Sequence, residues 1–312
     1  MIIEMNGVVK RYKELVALDH FDLQVQEGQI YGLLGPNGSG KSTAINCMLA
    51  LLTIQKGDIQ VFGKPITPTS YGIKRDIGLV PQEVAVVEEL SVQENIDYFC
   101  GLYVSDDRQR RQLVDEAIEF CGLEKFRKFA PKKLSGGLKR RLNIACGIAH
   151  QPKLLILDEP TVAVDPQSRN SILEGIRRLN EKGTTVLYTS HYMEEVEQLC
   201  TMITIMDKGK AILTGTKDEL KASVNLGDQV SLRLINHTQE DIDAIRALPF
   251  IGRTEIREDH LVLDMTRGDS KVASLINFLE QRDVAIGEMT LRQPSLNDVF
   301  LEVTGKELRD HV

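Results

Sequence analysis

The sequence predicts an α/β domain built on a parallel sheet buried on both faces, followed by a small α+β module. Three observations lead there. Short apolar runs at Ile30–Leu34, Leu154–Leu157 and Thr184–Ser190 have the continuous hydrophobicity of strands covered on both sides. Each is followed by ligand-binding residue types: the glycine-rich Gly35–Thr43, the acidic pair Asp158–Glu159, and His191. From Gln229 onward, alternating and helical patterns succeed one another in the order β-α-β-β-α-β.

A chain of 312 residues exceeds what one hydrophobic core usually serves, so two domains are expected. We place them at residues 1–222 and 223–312, with a helical subdomain over about 88–150 inside the first. Apolar content of 42% and charged content of 27% are ordinary for a globular protein. No apolar run approaches the ~20 residues that span a bilayer. The opening Met-Ile-Ile-Glu-Met-Asn lacks the basic-then-apolar layout of a signal peptide, so a cytosolic location is expected. A net charge of −7 argues against a general nucleic-acid role, which needs a basic surface. Five scattered cysteines without a C-x-x-C pair read as reduced, mostly buried thiols and offer no metal site.

Taken in order, Ile2–Val9 and the alternating Phe21-Asp-Leu-Gln-Val-Gln suggest a small antiparallel β piece. Between them stands Tyr12, which can stack on a nucleotide base or pack as a half-buried ring. Gly35-Pro36-Asn37-Gly38-Ser39-Gly40-Lys41-Ser42-Thr43 follows a strand and precedes a helix read over Ala44–Leu52, the context a phosphate-binding loop requires. Its glycines let successive N–H groups point into one concavity, and the helix adds the positive end of its dipole. Lys41 can reach β- and γ-phosphates, and the Ser42 hydroxyl can ligate Mg²⁺.

Gly57–Gly63 and Arg75–Gln82 read as further strands. Gln82 can ligate Mg²⁺ or hold an attacking water; it is equally a polar loop residue. Ser91-Val-Gln-Glu94 fits a capping box, and a helical pattern continues to about Ala130. Leu134-Ser135-Gly136-Gly137 opens another helix, as a second anion site or as a plain helix start. Two phosphate-recognition elements in one chain suggest that the second faces the nucleotide of another subunit. Asp158 is placed to hold Mg²⁺ through water and Glu159 to act as general base. Asp165-Pro166 caps a helix that runs to Lys182, and His191, at a strand end, is assigned to the γ-phosphate.

In this order the motifs resemble the nucleotide-binding domain of ABC transporters over residues 1 to about 220. Tyr12 matches the adenine-stacking aromatic, Gly35–Ser42 the Walker A loop, and Gln82 the Q-loop. Leu134–Gly137 match the signature, Asp158 and Glu159 Walker B, Asp165 the D-loop, and His191 the switch histidine. The resemblance implies a P-loop ATPase with a RecA-like core, an antiparallel β subdomain and a helical subdomain. It further implies ATP and Mg²⁺ as ligands, and a head-to-tail homodimer in which Ser135, Gly136 and Gly137 grip the ATP of the partner. An integral membrane permease would be driven by that dimer from the inner face of the membrane. Arg140, where many members carry glutamine, and the closing Pro294–Gly305 point to ABC-2 exporters of the daunorubicin-resistance kind.

Val-Ala-Val-Asp165 departs from the usual Gly-Leu-Asp of the D-loop. The C-terminal module, read as ferredoxin-like, carries no catalytic cluster. A dimer-supporting or regulatory accessory and a small-ligand sensor both fit it. Among rivals, a soluble ABC protein of ribosomes or DNA usually has two cassettes or a long coiled coil, and neither is present. A catalytically dead subunit is disfavoured by the presence of Glu159 and His191.

Overall fold

The computed structural model describes residues 1–224, 227–266 and 271–305. The chain parts into two compact units, Met1–Thr216 and a second from Lys217 onward.

In the first unit, β1 (Ile3–Tyr12), β2 (Leu15–Val25) and β3 (Ile30–Leu34) precede α1 (Lys41–Met48). Then come β4 (Lys56–Val61), β5 (Lys64–Pro65), the short α2 (Tyr71–Lys74) and β6 (Ile77–Val80). The helical stretch holds α3 (Val92–Gly101), α4 (Asp107–Phe120) and α5 (Gly136–Ile148). β7 (Leu154–Asp158), α6 (Pro166–Glu181), β8 (Thr185–Ser190), α7 (Met193–Leu199), β9 (Met202–Asp207) and β10 (Lys210–Gly215) complete the unit.

Two sheets result. One is antiparallel in the order β2-β1-β4-β5; the other runs β10-β9-β3-β8-β7-β6, parallel except for β10. Every residue of β3, β7 and β8 is buried, as their unbroken apolar runs require. The core lies where the two sheets meet α1: Ile3, Phe21 and Val61 pack with Tyr31, Leu33, Ile156, Ala44 and Met48. Burying each of the larger side chains contributes roughly 1.5–3 kcal/mol.

The helix starts follow their capping residues. Ser91 and Glu94 form the expected reciprocal box at α3, and Asp165 caps α6 by accepting from the Ser168 N–H at 2.9 Å. The helix after the phosphate loop begins at Lys41, three residues before the apolar pattern suggested, and ends at Met48. Strands β9 and β10 and helix α7 were not anticipated. Cys47, Cys100, Cys146 and Cys200 are buried, and all five cysteines are free. Burial raises the thiol of Cys100 to about 11 and that of Cys121 to about 12.

The second unit comprises α8 (Lys217–Ser223), β11 (Gln229–Leu234), α9 (Gln239–Arg246), β12 (Ile251–Arg257), β13 (His260–Met265), α10 (Lys271–Gln281), β14 (Ile286–Arg292) and α11 (Leu296–Thr304). Its antiparallel sheet has the order β12-β13-β11-β14, the ferredoxin-like arrangement expected from the βαββαβ pattern. Val230, Leu232 and Leu263 pack beneath Ile245 of α9 and Leu275 and Leu279 of α10.

Asp241 joins those two helices. It closes a capping box with Thr238 at α9 and accepts from Arg282 Nε, just beyond α10, at 2.9 Å. The bond from Arg282, then those from Thr238, hold its carboxyl at about 2, below the ordinary 3.8. A depressed carboxyl stabilises the fold above its unfolded value, and that stability disappears as pH falls through the folded one. Acid unfolding of the second unit should therefore set in between about pH 4 and 2. Asp241→Asn should flatten that dependence, read by circular dichroism against pH; identical curves would refute it.

Candidate nucleotide-binding site

Four loops leave the parallel sheet at one edge, because their strands run the same way and in register. Leu34 lies beside Ser190, Asp158 beside Thr189, and Val80 beside Leu157. With neighbouring strands ~4.8 Å apart, the residues just past those ends are forced together. They are the phosphate loop after β3, Glu159 after β7, His191 after β8, and Gln82 after β6.

The phosphate loop is shaped by two close approaches. A Cβ on Gly35 would stand 2.3 Å from the Met206 carbonyl, and one on Gly40 2.7 Å from that of Ala17. Gly40 also has φ 111° and caps α1 with no side chain, which leaves the first-turn N–H groups of α1 for a ligand. Ser39 is buried, and its Oγ has no protein partner. An orphan hydroxyl inside a cradle of amides is what an oxyanion-binding loop presents.

Lys41, 5% exposed, donates to the carbonyls of Gly35 (2.8 Å) and Pro36 (3.2 Å). Its third contact is Glu159 Oε1 at 3.0 Å. The other oxygen of Glu159 meets His191 Nδ1 at 3.2 Å and accepts from Gln82 Nε2 at 3.4 Å. Four residues expected from the motifs thus form one cluster. Burial pushes the Glu159 carboxyl up, but the His191 hydrogen bond and the Lys41 charge outweigh it and hold the group below its usual range. Glu159 has φ 47°, a left-handed conformation uncommon for a non-glycine residue, and its N–H is tied to Thr189 Oγ1 at 3.0 Å.

Asp158, also buried, accepts from Thr189 Oγ1 at 2.6 Å, which orients one oxygen and leaves the other. Ser42, Gln82 and Asp158 are all oxygen donors, a set that fits a hard cation such as Mg²⁺. Among the described residues no three His, Cys, Asp or Glu side chains form a metal cluster, so this set would need phosphate oxygens to complete it.

The remaining expected residues make other contacts. Tyr12, at the end of β1, is 43% exposed, with Lys10 Nζ 5.0 Å from its ring centroid. Ser135 caps α5, and it and Gly136 face outward. Gly137 packs so closely on α6 that a Cβ would lie 2.8 Å from Ser168 Oγ and 3.2 Å from Asp165 Oδ2. Asp165 is held below the usual carboxylate range by the Ser168 amide. Ala163 adopts φ 58°, so it occupies a glycine-type conformation where glycine was expected.

Several contributors were not singled out in the sequence. Thr189 positions both acids. Asn143, 3% exposed, donates to the Pro81 carbonyl (3.3 Å) and accepts from the Ala85 N–H (3.1 Å), gripping the chain on both sides of Gln82. Arg140, which the sequence marked only for its subfamily, donates to the same Pro81 carbonyl at 3.2 Å. Asn143 lies on the helix that Ser135 opens, three residues beyond Arg140, and that spacing was the one available signal.

Comparison with known proteins adds five findings. A family described as "ABC transporter" matches residues 18–162, and one described as "ATP-binding protein DrrA1-3-like, C-terminal domain" matches residues 215–304. The linearmycin resistance ATP-binding protein of Bacillus subtilis is 36% identical, over 99% of this chain and 100% of its own length. The Nod factor export ATP-binding protein I of Cupriavidus metallidurans is 35% identical over 99% of both. Among solved structures, the dimeric ATP-binding cassette MJ0796, bound to ADP and Pi in a post-hydrolysis state, aligns with TM-score 0.64 and 27% identity, covering 69% of this chain and 98% of that one.

Two substitutions test the loop geometry. Gly35→Ala should abolish nucleotide binding by calorimetry, since the Met206 backbone cannot move aside; retained affinity would contradict it. Ala163→Val should cost about 1–2 kcal/mol in denaturant unfolding, because a β-branched residue tolerates positive φ poorly, while Ala163→Gly should not destabilise the chain beyond about 0.5 kcal/mol.

Proposed function

The chain belongs to the family of ABC transporter ATP-binding proteins, and from that premise we propose how it works. It is an ATPase that binds and hydrolyses ATP to drive transport, and cassettes of its kind dimerise. In our reading it powers an export system as a homodimer, at the cytoplasmic face beneath a separate membrane permease. In this reading the first compact unit, Met1–Thr216, is the ATPase domain, and the second, which includes α8 and so begins ahead of the expected boundary at 222, is an accessory domain. Of the relatives, one is named for resistance to linearmycin and another for Nod factor export, which supports the export direction. Among the described residues no helix is long and apolar enough to cross a membrane, in keeping with a separate permease.

The observation that carries the reading is the Lys41–Glu159–His191–Gln82 cluster at the mouth of the phosphate loop. Arriving phosphates compete with Glu159 for Lys41. As the ammonium turns to phosphate, Glu159 loses its counter-charge and becomes free to accept a proton from water. His191 and Gln82, already bonded to the same oxygen, then hold the carboxylate towards the γ-phosphate. Ser42, Asp158 and Gln82 would hold Mg²⁺, which supplies charge neutralisation for the phosphates. Tyr12 is exposed enough to stack on adenine. Ser135 and Gly136, facing outward on α5, are available to the ATP of a second copy, which supports a head-to-tail dimer.

Glu159→Gln should slow ATP hydrolysis by about 100-fold or more while leaving ATP bound, and should accumulate an ATP-dependent dimer in size-exclusion chromatography. Parental turnover in this variant would remove Glu159 from the base role. Lys41→Ala should lose ATP affinity in calorimetry. Purification of the tagged chain from detergent-solubilised native membranes should recover a polytopic membrane protein in near-equal amount; recovery of ribosomes or nucleic acid instead would overturn the transporter reading.

A further inference from the structure

One deeply buried carboxylate takes no part in the chemistry above. Glu195 of α7 is 3% exposed and gathers hydrogen-bond donors from two segments and an ion-pair partner from a third. Its Oε2 accepts from Thr161 Oγ1 at 2.6 Å, from Tyr188 OH at 2.6 Å and from Ser190 Oγ at 3.4 Å. Its Oε1 stands 3.1 Å from Arg169 Nε as an ion pair that lacks hydrogen-bond geometry. Burial, and then the Glu195 charge, push the Tyr188 phenol well above its usual range, so that it stays a donor.

Each partner is tied to an element of the site. Thr161 lies two residues after Glu159, in the turn that leads through Ala163 to Asp165. Tyr188 and Ser190 end β8, immediately before His191. Arg169 follows the Asp165 cap by one helical turn on α6. The segments are also joined around His191. Ser190 Oγ accepts from the Tyr192 N–H at 2.9 Å, the Arg169 guanidinium lies 4.8 Å from the Tyr192 ring centroid, and the His191 ring stacks obliquely on Tyr192 at 4.1 Å.

A buried carboxylate with such a partner set is a poor source of net stability, since apolar residues of similar volume commonly do as well. What it provides is a single arrangement of the groups it binds.

We propose that Glu195 is a positioning residue that locks the Glu159–Asp165 turn, the strand end bearing His191 and the start of α6 into one unit. The inference rests on the ATPase reading and deepens it. A displacement of Asp165, for instance when a second copy docks, is delivered through Arg169 and Glu195 to the backbone on both sides of His191. Catalytic turnover depends on the link, whereas nucleotide affinity, set by the phosphate loop, does not.

The test is steady-state ATP hydrolysis by the full chain, with melting temperature recorded in parallel, for Arg169→Ala, Glu195→Gln and the double variant. Arg169 is 30% exposed at its side chain, so its truncation leaves the fold intact even if Glu195→Gln does not fold. Arg169→Ala should lower kcat about 10-fold with KM for ATP within about twofold, the scale expected when a reacting group is misplaced by a fraction of an ångström. The double variant should be no slower than Glu195→Gln alone, because the two residues act through one contact.

A folded Arg169→Ala with parental kcat, or one altered in KM alone, overturns the proposal, as do independent, multiplicative effects in the double variant. A parent chain that does not hydrolyse ATP overturns the ATPase reading as well; an active parent with insensitive variants overturns this inference alone.

Discussion

The ion pair between Lys41 and Glu159 is the constraint around which the first unit is arranged. Both side chains are almost fully buried, and removing two charges from water costs several kcal/mol apiece unless each is surrounded by partners. Lys41 is therefore held by two loop carbonyls as well, and the Glu159 carboxylate by His191 and Gln82, while the Glu159 N–H is tied to Thr189 Oγ1. Those partners come from four strand ends, which only a parallel, in-register sheet can bring to one edge. The antiparallel sheet and α1 close the other side of the same core. Fold and site are in this sense one arrangement, and the left-handed backbone of Glu159 is tolerated because its surroundings over-determine it.

Much of this was legible in the residues. Continuous apolar runs gave β3, β7 and β8, and the polar residues just after them gave Lys41, Glu159 and His191, because a parallel sheet puts its ligand-facing loops at the strand ends. Caps were equally readable at Ser91 and Asp165, where a short polar side chain precedes a helical pattern. The second unit followed from period alone, since the spacing of β11 to β14 leaves few other topologies. From its residue type alone Gln82 could not be told from a polar loop residue, and only the motif resemblance gave it a role. In the structure this neutral amide at a strand end shares an oxygen with His191.

The rest was hidden for physical reasons. Thr189, Asn143 and Glu195 act by joining segments far apart in sequence, and no local pattern encodes which distant atom a buried polar side chain will meet. Arg140, read at first as a mark of subfamily, turned out to brace the chain just before Gln82. The D-loop was expected to keep its role with Ala163 in place of glycine, its backbone freedom being the open point; in the structure Ala163 adopts the positive φ that glycine takes most readily. Strands β9 and β10 were missed because their alternation is short and one of them lies at a sheet edge.

The distribution of thiols has a use of its own. With Cys100 and Cys121 raised out of the range where thiolates form near neutrality, and with four of the five cysteines buried, the native molecule is a poor nucleophile. To reach the four buried thiols, an alkylating reagent must wait for the chain to open. Cys47 reports on α1 behind the phosphate loop, Cys100 on α3, Cys146 on α5, and Cys200 on the end of α7 beside Gly32. Their relative labelling rates would order the breathing motions of those elements without any engineered probe, giving the wild-type chain an internal clock for local unfolding.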